Sequence, residues 1–311
     1  MKLGRSTREA FGLALAELGE RDAETVVLDA DVHNSTRTEY FAQRFPKRFF
    51  NVGIAESNVV SVASGLAASG KRPWLASFAC FIMCNAFDQL RMSVAFPALD
   101  VKVVGSHAGI SIGEDGPSQM GIEDIALACA LPNFTVVVPA DEASTHKAVF
   151  ALAEHRGPAY LRVGRPNVPV VYEGDVPFTL GRANCLREGR DVTIVANGLM
   201  VWSALQAAEE LAQLGIRARV LDIHTVKPLD HEALAQAARE TGRIVVAEEH
   251  LKHGGLGSVV AQSVAEQHPV PMRFVALNDT YAESGAPQDL LRKYGLTAAD
   301  IVRAARSLVQ R

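Results

Sequence analysis

The sequence predicts an α/β protein built from two doubly wound domains. Short, continuous apolar runs alternate with helical segments along the whole 311-residue chain, and this alternation is interrupted once, near the middle. Near-continuous apolar strands separated by helices favour parallel sheets that are covered on both faces. The chain length is also typical of about two domains.

The first half begins with a helix and continues with five strand-like runs. Ser6 and Thr7 provide a suitable N-cap for a helix predicted over residues 7–20. Each strand-like run is followed by a loop and a helical stretch. The predicted strands cover residues 25–28, 74–78, 101–104, 134–138 and 160–163.

The pattern lapses over residues 164–190, which are rich in turn-forming residues and lack helical periodicity. We therefore predict a first domain over 1–165, a linker over 166–188 and a second domain over 189–311. Two helices are predicted near residues 288–310. The strands of the second half are predicted at 192–196, 218–222, 244–247 and 272–276.

The composition and charge of the chain argue against nucleic-acid-binding and membrane proteins. Lys and Arg number 31 against 35 Asp and Glu, giving a net charge of −4 that argues against a nucleic-acid interface. No apolar run reaches membrane-spanning length and the N-terminus lacks a signal-peptide pattern, so a cytoplasmic protein without membrane contact is expected. Four cysteines, none in a CxxC pair, are expected to be reduced core thiols: Cys80, Cys84, Cys129 and Cys185.

Open α/β sheets bind ligands beyond the carboxyl ends of their strands. Four polar segments follow predicted strands and are the places where chemistry is expected. They cover residues 29–38, 51–58, 105–120 and 248–257.

Glu56 lies in the second of these segments, at a predicted strand-to-helix corner. Its neighbours Gly53, Ile54 and Ala55 are small or apolar, which predicts a partly desolvated carboxyl group suited to proton transfer. For an isolated Glu at a helix start, stabilisation by the helix dipole is the usual explanation.

His107 ends a predicted strand within a glycine-rich loop that also carries Glu114 and Asp115. Such a loop allows close backbone approach to a ligand, although an ordinary surface loop fits as well. Phe78 and Phe81 are three residues apart at a predicted helix start and share a face. For a Phe pair taken by itself, core packing is the favoured interpretation.

The fourth segment contains His253-Gly254-Gly255-Leu256-Gly257 between a strand and a helix. It does not satisfy the dinucleotide-binding pattern, because position 260 is Val where a third glycine is required. A nicotinamide-dependent dehydrogenase is therefore not expected.

Taken together and in this order, three motifs resemble the C-terminal half of transketolases. The resemblance covers nearly the whole chain. The motifs are Gly53-Ile54-Ala55-Glu56, Gly113-Glu114-Asp115-Gly116-Pro117, and Glu248-Glu249-His250 with the glycine-rich loop that follows it.

The resemblance implies a pyrimidine-binding domain for thiamine diphosphate, followed by a transketolase C-terminal domain. It implies that Glu56 hydrogen-bonds a ring nitrogen of the aminopyrimidine and is catalytic. It also implies that Phe78 and Phe81 stack on that ring, with Asp31 and Val32 beside the cofactor. The expected reaction is transfer of a two-carbon ketol unit from a ketose to an aldose.

The same resemblance assigns a substrate site. His107 and Asp115 would bind substrate hydroxyls, and His107 would assist proton transfer. Arg8, Ser35 and Arg165 fall at the phosphate-binding positions of the family. The sequence departs from the family at Gln119, where a histidine is usual, and at Cys84, where an aromatic residue is usual.

Transketolases also hold the diphosphate through Mg²⁺ and a Gly-Asp-Gly motif in a further N-terminal domain, and that motif is not found in this sequence. We therefore expect a second polypeptide to carry the diphosphate and Mg²⁺ site, with no metal ligands in this chain. The expected assembly is an α2β2 heterotetramer acting on sugars or sugar phosphates.

Three alternatives remain open from the sequence. A 1-deoxyxylulose-5-phosphate synthase shares Gly-Ile-Ala-Glu, and Phe87-Asp88-Gln89 leans that way. The β subunit of a 2-oxoacid dehydrogenase shares the architecture but lacks the Gly-Glu-Asp-Gly-Pro loop. A non-catalytic partner that kept only the fold is disfavoured by the retention of Glu56, His107 and Asp115.

Overall fold

A computed structural model of the protein describes residues 2–174 and 176–310. Met1, Asp175 and Arg311 lie outside the described residues, so the part of the predicted linker at Asp175 is not assigned a structure. The described chain contains a seven-stranded sheet, a five-stranded sheet and a two-stranded ribbon.

The N-terminal part contains eight strands and eight α-helices. The strands are β1 (Leu3–Ser6), β2 (Thr25–Asp29), β3 (Phe49–Asn51), β4 (Arg72–Phe78), β5 (Lys102–Ser106), β6 (Thr135–Val137), β7 (Ala159–Arg162) and β8 (Asn167–Pro169). The helices are α1 (Thr7–Arg21), α2 (His33–Thr36), α3 (Glu39–Arg44), α4 (Glu56–Ala68), α5 (Ala79–Asn85), α6 (Phe87–Gln89), α7 (Asp124–Ala130) and α8 (Glu142–Glu154). Two 3₁₀ turns (Pro46–Arg48 and Ile110–Ile112) and a π-helical turn (Leu90–Ala95) complete this part.

The C-terminal part adds six strands and five helices. The strands are β9 (Asn184–Arg187), β10 (Val192–Ala196), β11 (Ala218–Asp222), β12 (Thr225–Lys227), β13 (Ile244–Leu251) and β14 (Met272–Leu277). The helices are α9 (Met200–Gln213), α10 (His231–Thr241), α11 (Leu256–Gln267), α12 (Pro287–Lys293) and α13 (Ala298–Val309). Among the helices described, none is long and apolar enough to cross a membrane.

The seven-stranded sheet has the order β12-β6-β7-β5-β4-β2-β3. Its six N-terminal strands are parallel, as the continuous apolar runs of β2, β4, β5, β6 and β7 predict; β3 is not predicted from the sequence. The edge strand β12 comes from the second half of the chain and pairs antiparallel with β6, with Thr225 opposite Val137. The two halves are therefore joined by main-chain pairing as well as by side-chain packing.

The five-stranded sheet has the order β14-β13-β10-β11-β9. Four strands are parallel, and β9 closes the edge antiparallel to β11. The predicted fold class, α/β with parallel sheets covered by helices, is confirmed.

Helix α1 begins where the sequence predicts, and the Ser6 hydroxyl accepts a hydrogen bond from the Glu9 N–H at 3.3 Å. The segment predicted as a linker contains two strands rather than turns alone. Strand β8 pairs with β1, and β9 joins the second sheet. The domain boundaries at 165 and 189 stay a prediction.

The expectation that all four cysteines are core thiols is wrong for two of them. Cys80 is buried and Cys129 is partly buried, but Cys84 and Cys185 are exposed. Cys84 lies one turn after Cys80 on α5, where its Sγ faces the Glu123 carboxylate at 3.7 Å. Cys185 lies on the edge strand β9, which leaves one side of that strand open to solvent. All four thiols are unpaired.

The position of α4 is fixed by packing against the first sheet. Val59, Val60 and Ala63 are fully buried on one side of this helix and belong to the same apolar cluster as Leu28 and Leu75 of the sheet. Burying such side chains stabilises the fold by about 1.5–3 kcal/mol each for the larger ones. This packing holds the first residue of α4, Glu56, at the carboxyl edge of the strands.

Candidate functional site

The predicted site residues lie around one edge of the seven-stranded sheet, where the strands β2, β3, β4, β5 and β7 end. Because these strands are parallel, their carboxyl ends meet at the same edge. Arg8 approaches this edge from α1. The others follow the strands in turn: Asp31, Val32 and Ser35 after β2, Glu56 after β3, Phe78 and Phe81 at the end of β4, His107, Asp115 and Gln119 after β5, and Arg165 after β7.

Asp29, a residue that the sequence reasoning missed, holds the first loop in place. Its carboxylate is fully buried and accepts hydrogen bonds from the Val32 N–H at 2.7 Å and from the hydroxyls of Thr36 and Thr38 at 2.7 and 2.8 Å. Burial raises the pKa of Asp29 despite these donors. An acid at the end of an apolar strand, followed by two threonines, is the signal that could have identified it.

The two residues expected beside the cofactor lie in this loop. Asp31 is exposed, has a left-handed backbone with φ of 64°, and accepts a hydrogen bond from Asn51 Nδ2 at 2.6 Å. Val32 is partly buried directly after it. Non-glycine residues adopt this backbone region rarely, and it is enriched at ligand sites.

Glu56 is the first residue of α4 and is 7% exposed. Its two carboxylate oxygens accept from the Ser77 hydroxyl and from Asn85 Nδ2, each at 3.4 Å. Both distances exceed those of strong hydrogen bonds. The carboxylate is therefore buried, favoured by the helix dipole, and still able to bind a closer donor.

Phe78 and Phe81 form a pair of parallel aromatic rings. Their ring centroids are 5.6 Å apart and the rings are within 5° of parallel. The imidazole of His107 stacks on Phe78 with a centroid distance of 3.9 Å and an angle of 13°. Both phenylalanines are only partly buried, and Phe78 directly follows Ser77, whose hydroxyl contacts Glu56.

A hydrogen-bond network joins Glu56 to the opposite side of the site. The Ser77 hydroxyl contacts Glu56, and the Ser77 carbonyl accepts from the Ser106 hydroxyl at 3.2 Å. Ser106 Oγ contacts His107 Nδ1 at 2.9 Å, and His107 Nε2 contacts Arg8 Nη1 at 3.1 Å. The sequence reasoning missed both serines, because a serine at a strand end carries no distinctive signal.

His107 is buried and has a positive φ of 57°. Burial, reinforced by the positive charges of Arg8, Arg165 and Arg37, lowers the pKa of His107 to about 3. The imidazole is therefore neutral near pH 7. It acts in this site as a hydrogen-bonding group with one donor and one acceptor, not as a cation.

Arginines surround the outer side of His107. Arg8 Nη1 donates to the Ser35 carbonyl at 2.9 Å, and Arg165 Nη1 donates to the Ile112 carbonyl at 2.8 Å. Arg165 also lies 3.5 Å from a carboxylate oxygen of Asp115. Burial, followed by the charges of Arg37 and Arg165, lowers the pKa of Arg8. The predicted site therefore includes a cationic region, to which Arg37 adds a charge that the sequence reasoning missed.

Gln119 lies in the same loop as Asp115 and is partly buried. Its backbone N–H donates to the Gly116 carbonyl at 3.1 Å, which closes a turn of this loop. Asp115 itself is exposed. The loop therefore presents the Asp115 carboxylate beside Arg165.

The fourth polar segment, residues 248–257, contacts the loop that follows His107. Glu249 is buried and accepts a hydrogen bond from the Ser111 N–H at 2.5 Å, directly in the loop after His107. Glu248 accepts from the N–H groups of Leu256 and Gly257 at 2.7 Å each. This segment of the second sheet thus braces the His107 loop.

Among the described residues, no group of three or more His, Cys, Asp or Glu side chains is placed to hold a metal ion.

Two family models match the chain. The model described as the transketolase pyrimidine binding domain matches residues 4–171, and the model described as the transketolase C-terminal domain matches residues 181–301.

Curated relatives match along nearly the whole chain. A 6-deoxy-6-sulfo-D-fructose transketolase subunit from a Clostridium species is 44% identical over 98% of this chain and 94% of its own length. An apulose-4-phosphate transketolase subunit from Phocaeicola vulgatus is 38% identical over 98% of this chain and 97% of its own length. Mouse transketolase is 40% identical, and there the chain spans 49% of the relative.

Among solved structures, one described as a split gene transketolase, inactive beta4 tetramer, is 48% identical. It superposes with a TM-score of 0.91 over 99% of both chains.

Proposed function

The chain belongs to the transketolase family, and from this premise we propose that it transfers a two-carbon ketol unit from a ketose to an aldose as one subunit of a thiamine diphosphate-dependent enzyme. One observation carries the proposal. Glu56 is 7% exposed at the start of α4, and it accepts from the hydroxyl of Ser77, the residue directly before the Phe78 ring that lies parallel to Phe81.

These residues fit the aminopyrimidine half of thiamine diphosphate. Phe78 and Phe81 would stack on its planar ring, and Asp31 and Val32 would lie beside the cofactor. The Glu56 carboxyl group, whose present hydrogen bonds are 3.4 Å long, would hold a proton at a ring nitrogen. When bound, this cofactor supplies the electron sink for breaking a carbon–carbon bond next to a carbonyl.

The other side of the site would bind the sugar. Neutral His107 would bind a sugar hydroxyl through Nε2, with the hydroxyl taking the place of Arg8 Nη1, and Asp115 is an exposed acceptor. Arg8 and Arg165, with Ser35, would bind a terminal phosphate, since guanidinium groups bind oxyanions with two N–H donors. Gln119 would contribute a neutral hydrogen bond there.

We further propose that a second polypeptide supplies the diphosphate and Mg²⁺ site, in an assembly with two copies of each chain. Two relatives that match almost end to end are named as transketolase subunits, and the solved relative is described as a split gene transketolase. A reducing, cytoplasmic location is part of the proposal, and four unpaired cysteines support it.

The proposal is tested by assaying ketol transfer with this chain alone, with a candidate N-terminal transketolase subunit alone, and with both, in the presence of thiamine diphosphate and Mg²⁺. Activity is expected only in the mixture. Appreciable activity of this chain alone would contradict the two-chain proposal. A mixture that forms a complex but never transfers a ketol unit would favour a non-catalytic partner.

A further inference from the structure

Arg37 is positioned beside Arg8 by an unusually close approach of the first loop to α1. Arg37 follows α2 with a left-handed backbone, φ of 69°. A methyl group added at Gly12 would lie 2.6 Å from the Arg37 Cβ and 2.4 Å from its carbonyl oxygen. Gly12 stands one helical turn after Arg8, on the same side of α1. Only a glycine at position 12 allows Arg37 to pack there.

We propose that Arg37 is a third cationic member of the substrate-anion site, with Arg8 and Arg165, and that it selects sugars ending in a tetrahedral oxyanion, a phosphate or a sulfonate. The inference deepens the proposed ketol transfer and rests on it.

The positive charges of Arg8, Arg37 and Arg165 lie close enough to interact with one another. The positive charges of Arg37 and Arg165 both lower the pKa values of Arg8 and His107. Like charges brought together at a partly buried place repel each other. A bound anion would convert this repulsion into attraction.

The hydrogen bonds of Arg8 and Arg37 also favour an anion as the ligand of this site. Arg8 Nη1 contacts only neutral acceptors, the Ser35 carbonyl and His107 Nε2. The Nε atoms of Arg8 and Arg37 are both buried and have no hydrogen-bond partner among the described residues. Arg37 Nη1 is held by Glu39 Oε1 at 3.1 Å, which orients the guanidinium. Buried unpaired donors cost free energy, and an oxyanion would satisfy them.

Arg37 would also offset the missing charge at position 119. The resemblance places Gln119 where a histidine usually contributes to phosphate binding, and a glutamine brings no positive charge. A guanidinium at position 37 supplies a charge to the same site from the first loop.

The test compares the wild type with Arg37→Gln and Arg37→Lys in the two-chain assembly. For Arg37→Gln, we expect KM for a ketose phosphate to rise about tenfold to a hundredfold, as for loss of a hydrogen bond to a charged group. We expect kcat and the KM for the unphosphorylated ketose to change less than twofold. Arg37→Lys should recover part of the loss. Arg44→Gln is the matched control, since Arg44 is a half-exposed guanidinium on the neighbouring helix α3.

A second measurement uses this chain alone. Inorganic phosphate and, separately, sulfate are titrated while the imidazole ¹⁵N signals of His107 are followed. Both anions should shift the signals, with affinity weakened at least tenfold in Arg37→Gln. Tighter binding of phosphate assigns a phosphate sugar, and tighter binding of sulfate assigns a sulfonate sugar.

The inference is overturned if Arg37→Gln leaves both the anion affinity and the KM for the ketose phosphate unchanged, or if Arg44→Gln causes equal losses. Failure of the proposed function looks different. In that case the wild-type assembly transfers no ketol unit, while anion binding by the chain alone still depends on Arg37.

Discussion

Arg8 and His107 share a hydrogen bond whose direction is fixed by chemistry, 3.1 Å from Nη1 to Nε2. A guanidinium can only donate, so His107 Nε2 must accept. In the neutral imidazole the proton then resides on Nδ1, which donates to Ser106 Oγ at 2.9 Å. The Ser106 proton in turn goes to the Ser77 carbonyl. This chain of bonds selects one tautomer of His107.

We therefore predict that His107 is neutral and protonated on Nδ1 between pH 5 and about 9. Burial and the nearby arginines lower its pKa to about 3, well below that range. Two-bond ¹H–¹⁵N spectra of the imidazole distinguish the two tautomers and the cation. A titration of His107 near pH 6.5, or a proton on Nε2, would contradict the prediction.

The same lowered pKa predicts how stability depends on pH. Between the ordinary value near 6.5 and about 3, the unfolded chain binds a proton at this histidine and the folded chain does not. The contribution of neutral His107 is therefore fully present above pH 6.5 and is lost as pH falls toward 3. From pH 7 to pH 4, the wild type should lose up to about 3 kcal/mol more than His107→Gln, at about 1.4 kcal/mol per unit.

Denaturant unfolding at both pH values measures this difference directly. His253→Gln is the control, because His253 is an exposed histidine. If wild type and His107→Gln lose the same free energy of unfolding on acidification, His107 is not held neutral in the folded state.

Much of this fold can be predicted from the sequence, and what cannot has a physical reason. Strand β11 matches its predicted range, because five residues that are almost all buried give a clear apolar run. Strand β3 is three residues long and mostly exposed, so it has no such run. Strand β12 pairs with a sheet from the other half of the chain, and sequence periodicity contains no information on such a crossover.

The candidate site also combines residues that the sequence singles out with contacts that it does not reveal. Glu56, Phe78 and His107 are predicted because motifs and strand ends single them out, and their roles stay a prediction. Arg37 is not predicted from the sequence, because its position depends on packing against Gly12, a residue 25 positions earlier. Glu249 was seen as part of a motif, but its contact with the Ser111 N–H joins the two halves of the chain. Contacts over such sequence distances follow from the folded topology alone.

Gly109→Ala is predicted to destabilise the protein and disturb the His107 loop. Gly109 has a φ of 84°, and an added Cβ would lie 2.2 Å from the Glu249 carboxyl carbon. Backbone strain of this kind costs about 1–3 kcal/mol, and the overlap adds to it, so we expect the free energy of unfolding to fall by at least about 2 kcal/mol.

The control is Gly65→Ala, since Gly65 lies in α4 with open space around it. That variant should be neutral or gain up to about 1 kcal/mol. Equal melting temperatures for the two variants would contradict the prediction.

Arg165→Ala is predicted to raise KM for a phosphorylated sugar more than it lowers kcat. A phosphate contact is made in both the ground state and the transition state, so its loss affects mainly binding. Arg8→Ala should also raise this KM, with an added fall in kcat, because Arg8 is the donor to His107 Nε2. Steady-state kinetics with phosphorylated and unphosphorylated ketoses separate these effects. If both substrates suffered equally from Arg165→Ala, the phosphate assignment of Arg165 would be wrong.

Glu56→Gln is predicted to abolish most of the activity while leaving the fold intact. Glu56 is 7% exposed, and its neighbours Ser77 and Asn85 approach no closer than 3.4 Å, so a neutral isostere removes no packing and no short hydrogen bond. A glutamine cannot give up a proton to a ring nitrogen as a carboxyl group can. Acid–base groups contribute about 10²–10⁴-fold to rates, and we expect a fall in kcat of that order with cofactor affinity weakened at most moderately.

The control is Glu20→Gln, because the Glu20 side chain is 56% exposed on α1. The decisive measurement is the exchange rate of the thiazolium C2 proton of thiamine diphosphate in the assembled enzyme. Exchange in Glu56→Gln as fast as in the wild type would mean that Glu56 is only a carboxylate stabilising a helix start.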